Sequence, residues 1–170
     1  MHFVLFDGNA HTQFLPFTYT RPVAEIRIGI HTLREKWEIA LGEATTTHTV
    51  AYLQTKWPET SENEKCYINP TFFPEEALLQ AIRELKPKQK LVYNNTLVAC
   101  VGNLDHAADF TSIDWDSSNV LFIEHTWDIF AKNAQAIAFD FERKSHCESG
   151  GNVACGAYPG PETHYPQVSA

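Results

Sequence analysis

The stretch Leu15–Gly29, LPFTYTRPVAEIRIG, carries two arginines, one glutamate and two prolines, and it follows an apolar opening, MHFVLFD. Arginine presents a planar fork of N–H donors that matches carboxylate and phosphate oxygens two at a time. In an open α/β sheet the loop beyond a strand's carboxyl end is where ligands sit, so Arg21 and Arg27 stand where an oxyanion would be met. Each has a plain alternative use, an ion pair with Glu25 or a hydrogen bond to a backbone carbonyl.

The other reactive residue types are dispersed. Cys66, Cys100, Cys147 and Cys155 include no CxxC pair and read as free thiols of a reducing compartment. Cys147 and Cys155, taken with His146 or His164, match no common zinc spacing. A formal net charge of -8 repels polyanions, which argues against non-specific nucleic-acid binding and leaves room for a local basic pocket. No apolar run approaches the ~20 residues of a membrane span, and the N-terminus lacks the charged-then-apolar layout of a secretory leader. The sequence therefore reads as a cytoplasmic protein, and 170 residues with 44% hydrophobic side chains suffice for one domain with a real core.

These residues need elements to position them. HFVLFD, ending in Asp7-Gly8, reads as a buried strand that delivers its carboxyl end to a loop. Ile26, Ile30, Leu33, Trp37 and Leu41 recur at helical steps and predict a helix from Ile26 to a stop at Gly42. HTVAYL reads as a second strand, KWPETSENEK as a polar loop, and KCYIN as a third strand closed by Asn69-Pro70. Pro74 suits a first helical position, with Glu75 and Glu76 at the positive end of the dipole and Leu78, Leu79, Ile82 and Leu85 as the packing face. KLVYNNTLVACVG predicts a hairpin turning at Asn94-Asn95, which makes the sheet mixed. NVLFIEH reads as a further strand. TWDIFAKNAQAIAFDFE reads as a helix capped by Thr126, with Ile129, Phe130, Ile137 and Phe141 inward. Beyond Lys144 the text loses both periods, and residues 145–170 read as a disordered or loosely attached tail.

LPFTYTRPVAEIRIGIHTLREKWE, YINPTFFP and TWDIFAKNAQAIAFDFE resemble segments of bacterial sugar-nucleotidyltransferase-like proteins of the GlmU family. That family is named for the bifunctional N-acetylglucosamine-1-phosphate uridyltransferase and glucosamine-1-phosphate acetyltransferase. The resemblance implies an α/β fold over residues 1–144: a shortened, Rossmann-like, nucleotidyltransferase-type mixed sheet flanked by helices. It implies uridylyl transfer from UTP to N-acetylglucosamine-1-phosphate or a similar sugar phosphate, with magnesium, in cell-envelope synthesis. Partners are then a nucleoside triphosphate and a sugar-1-phosphate, with no nucleic acid and no membrane. The hexapeptide pattern of a left-handed β-helix appears nowhere in these residues, so acetyl transfer does not carry over, and an apolar surface left uncovered would favour a homo-oligomer.

The resemblance also assigns roles. Leu5-Phe6-Asp7-Gly8 begins like the family loop L-x-x-G-x-G-T-R, and Arg21-Pro22 falls at its Pro-Lys segment. Arg21 is thereby the catalytic phosphate contact, Arg27 a second one, and Gly8 and His11 members of the nucleotide loop; the family's magnesium carboxylate has no counterpart at Asn69-Pro70, which leaves Asp7 and Asp105 as the candidate ligands, each with a plain alternative use as a turn former. Phe14, Phe17 and Tyr19 face either a base or the core. The sequence departs from the family at Ala10, where a second loop glycine is expected, at His11-Thr12-Gln13 in place of Thr-Arg, and at Asn69-Pro70 in place of Gly-Asp. Those departures support an alternative, a non-catalytic nucleotide-sugar-binding or scaffolding remnant.

Overall fold

Six strands form one mixed sheet in the order β2-β1-β3-β5-β4-β6. They are β1 His2–Phe6, β2 Thr46–His48, β3 Lys65–Ile68, β4 Gln89–Tyr93, β5 Thr96–Val101 and β6 Thr111–Asp114. The structure is a computed structural model that describes residues 1–61, 64–116 and 120–149, the side chains of 144–149 excepted. β1 runs parallel to both β2 and β3, β5 is antiparallel to β3 and β4, and β6 is parallel to β4.

The unbroken apolar run of β1 is explained by cover on both faces. Phe3 and Leu5 join Trp37, Ile68, Leu78 and Ile82 in one cluster, while Val4 and Phe6 join Tyr67, Cys100 and Ala107 in the other. Cys66 and Cys100 are free thiols buried in these separate clusters, and burial pushes both up to about 12, far from reactive thiolate.

The helices are α1 Ala10–Gln13, α2 Leu33–Leu41, α3 Ala51–Gln54, α4 Glu76–Arg83, α5 Asp128–Ala131 and α6 Asn133–Ser149. The expected start of α2 at Ile26 is corrected to Leu33. Thr32 and Glu35 form a reciprocal capping box there, and the preceding residues make a tight loop closed by an Arg27–Thr32 bridge. Ile26 and Ile28 still reach a core, but Ile30 is exposed. HTVAYL is a strand only to His48, because the chain turns at Thr49 to meet Asp7 and then enters α3. The α4 packing face is as read, although the helix begins at Glu76 rather than Pro74. The hairpin turns at Asn94 and Asn95, both at positive φ (46° and 63°), as a tight type I′ turn requires.

NVLFIEH does not join the sheet. Its described part pairs instead with residues 71–73, through Phe73 N–H to Leu121 O and Ile123 N–H to Thr71 O. The closing helix is two pieces broken at Lys132; Ile129 packs on the core as expected, but the rest of the expected face is turned outward. Ala136 and Asp140 are buried, whereas Phe130, Ile137 and Phe141 are exposed. Its first turn is held by Asp128, whose carboxylate accepts from the Glu124 and His125 amides, rather than by Thr126. α6 continues past Lys144 to Ser149 and includes the backbone of Cys147, while residues 150–170, Cys155 and His164 among them, lie outside the described residues, and with them the zinc spacing. No helix among the described residues is long and apolar enough to cross a membrane.

Candidate functional site

β1 lies between β2, which follows it in sequence, and β3, which comes next. The chain thus moves to one side of β1 and then to the other, and the carboxyl ends of these parallel strands diverge there. Such a switch point leaves a crevice, and ligands of open α/β sheets bind in it. A cleft of about 430 Å³ occupies the place, bounded by residues 6–10 after β1, by Asn69, Thr71 and Phe72 after β3, by Asn95–Leu97 at the hairpin, and by Phe122–Glu124.

The loop from β1 is built by Asp7. Its Oδ1 accepts from the Val23 amide at 2.9 Å and its Oδ2 from the Thr49 hydroxyl, so one buried carboxylate ties three segments together. Burial pushes the Asp7 carboxyl above the usual range, against the lowering effect of the Thr49 and Val23 bonds and of His11 nearby. His11 Nδ1 lies 3.4 Å from Asp7 Oδ2, within ion-pairing range, yet it is buried and misdirected for a hydrogen bond. Gly8 follows with φ +48°, and an added Cβ would press on the Phe6 ring at 3.2 Å.

Asn69 is likewise committed. Its Oδ1 accepts from the Thr71 amide at 3.1 Å and from the Thr71 hydroxyl at 2.8 Å, and its Nδ2 donates to Leu97 O at 3.2 Å. The two expected magnesium ligands stand in different loops. Asp105 is exposed in a short turn, Leu104–Asp109, and both oxygens of Asp7 are taken. Among the described residues no three His, Cys, Asp or Glu side chains are grouped to hold a metal ion. These residues therefore do not fit a preformed magnesium site.

Arg21 and Arg27 are brought together, but on a second concavity. A pocket of about 480 Å³ is lined by both arginines and by Pro16, Phe17, Thr20, Ile26 and Ile129. The segment that carries them rests on its own apolar cluster, which includes Phe14, Val23, Ile26, Ile28, Leu33 and Ala136. Phe14 is thus a core residue, while Phe17 and Tyr19 are exposed. Glu25 pairs with neither arginine, because Arg34 Nε donates to it at 2.5 Å while Nη1 and Nη2 of the same guanidinium donate to Thr45 and Thr47. Arg27 donates to Ile30 O and approaches Glu35 at 3.6 Å, yet its side chain is 59% exposed. Arg21 has no hydrogen bond or ion pair among the described residues.

Sequence reasoning missed what shapes this pocket. Lys36, 2% exposed, donates to both oxygens of Asp140, 4% exposed, and burial draws the lysine's pKa down despite that partner. Asp140 Oδ2 also accepts from the Ile30 amide at 2.8 Å and the His31 amide at 3.3 Å, and Asn133 Oδ1 accepts from Gly29 N–H at 2.8 Å. A signal was present: Lys36 stands inside the stripe Leu33, Trp37, Ala40, where a lysine demands a buried acid.

Fold and site together define a Rossmann-like nucleotidyltransferase-type domain, with a switch-point cleft and an arginine pocket beside it. The chain belongs to the sugar nucleotidyl transferase family, whose profile matches residues 3–147. No curated protein matches it.

Proposed function

We propose that the domain transfers a uridylyl group from UTP to N-acetylglucosamine-1-phosphate or a similar sugar-1-phosphate, as a GlmU-like member of its family serving cell-envelope synthesis. A phosphate oxygen of the sugar phosphate attacks the α-phosphorus of UTP. The new P–O bond forms, the bond to the bridging oxygen breaks, and pyrophosphate leaves with that electron pair. The nucleophile is already anionic, so the protein's task is to hold negative charge and alignment.

In this reading Arg21 is the catalytic residue and contacts the phosphates. Arg27 is the second phosphate contact, Gly8 lets the β1 loop approach the nucleotide closely, and His11 stays in that loop with its ring between Asp7 and Tyr52. The observation that carries the reading is Arg21 itself: a guanidinium without a protein partner among the described residues, beside Arg27, on a segment that Asp7 ties to the end of β1. Magnesium in this reading arrives with the triphosphate as its counter-ion, since no three carboxylate, histidine or cysteine side chains among the described residues are grouped to hold it.

The test is pyrophosphate release by the purified chain supplied with UTP, N-acetylglucosamine-1-phosphate and magnesium, beside Arg21→Ala. Loss of about a hundredfold or more in the variant is expected, the scale on which removing one such donor acts. A folded wild-type chain that releases none would favour the second reading, a non-catalytic nucleotide-sugar binder or scaffold. That reading draws on Asp7 and Asn69, whose polar atoms are spent on the protein itself.

A further inference from the structure

The segment between Arg27 and Thr32 is held from outside by a helix more than a hundred residues further along the chain. Three donors converge on Asp140, namely the Lys36 ammonium and the amides of Ile30 and His31. Gly29, at φ +72°, lies so close that an added Cβ would stand 2.7 Å from Asp140 Oδ2 and 2.8 Å from the Ala136 carbonyl carbon. The loop is therefore pressed flat on α6, and Arg27 leaves it at the end that faces the pocket, its guanidinium turned back onto Ile30 O. Ile30 links the two: its amide is fixed by Asp140 and its carbonyl by Arg27.

We infer that Asp140 is a positioning residue for oxyanion binding: by clamping the Ile30 and His31 amides it sets the direction of Arg27 in the arginine pocket. The role rests on the phosphate reading of that pocket. The clamp needs an acceptor at position 140, whereas the charge of Asp140 is needed only because Lys36 is buried against it. The two requirements can be separated.

Two double variants do so, Lys36→Met with Asp140→Asn and Lys36→Met with Asp140→Ala. Neither leaves a lone buried charge, and they differ in whether the two amides keep an acceptor. UTP binding is measured by calorimetry at a temperature where both are folded, beside wild type and Arg27→Ala. The asparagine form is expected to bind within about threefold of wild type, and the alanine form and Arg27→Ala about tenfold more weakly, the effect of one charge-assisted contact. Amide exchange at Ile30 and His31 is expected to quicken in the alanine form alone. Equal affinities in the two double variants, or an Arg27→Ala chain that binds like wild type, would overturn the positioning role. A wild-type chain that binds no UTP would overturn the phosphate reading and this role with it.

Discussion

The two concavities border the same segment, residues 7–27, yet they are made in opposite ways. Among the described residues no lysine or arginine lines the switch-point cleft, and the acids Asp7 and Glu124 do. Two of its polar side chains are committed to the protein itself, Asp7 to Val23 and Thr49, Asn69 to Thr71 and Leu97. The arginine pocket has two guanidiniums, no acid and apolar walls. In a chain of net charge -8 the contrast is one of sign: the cleft is edged by carboxylates, and the pocket gathers two guanidiniums.

The sharpest way to break the comparison is to strike the pocket's support alone. Lys36→Met strands the Asp140 carboxylate in the core, and a loss of about 3–5 kcal/mol is expected from urea unfolding, the usual cost of removing one partner of a buried pair. Gly29→Ala is next. It forces a side chain into a left-handed position against the Ala136 backbone, and about 1–3 kcal/mol is expected by the same measurement, with UTP affinity reduced as α6 is pushed off.

A smaller change sharpens the comparison by touching neither site. Glu59 binds Lys65, Tyr67 and His48 beside the sheet, and although burial raises its pKa, those bonds bring it down to about 2. A carboxylate so depressed stabilises the fold above its ordinary value, 4.5, and that contribution fades as pH falls through about 2. Glu59→Gln is expected to lower stability by about 1 kcal/mol near neutrality, and its unfolding curves should converge with wild type in acid, with UTP binding untouched.

What was legible followed local rules. β1, β3, the Asn94-Asn95 hairpin and the α4 face are set by short-range pattern and turn chemistry, and the structure contains them as read. The α2 start was misread because Ile26 and Ile30 share helical spacing with Leu33 by accident of a loop that packs Ile26 and exposes Ile30. The reversed face of α6 has a different cause. Asp140 turns inward to accept from the amides of Ile30 and His31, Asn133 accepts from Gly29 at the surface, and no apolar period records a bond to a distant backbone. For the site, Asp7-Gly8 at a strand end pointed to the cleft. The spacing of Arg21 and Arg27 did not reveal that they face a separate pocket.

The Asp140 clamp has a consequence for the order in which the protein comes into being. A nascent chain emerges amino end first, so β1 and the arginine segment leave the ribosome long before residues 133–140 are made. The contacts that shape the loop span 104 to 110 positions, the greater part of the matched domain. The arginine segment is thus synthesised well before the residues that hold its loop, and a chain interrupted before α6 carries both guanidiniums without the Asn133 and Asp140 contacts.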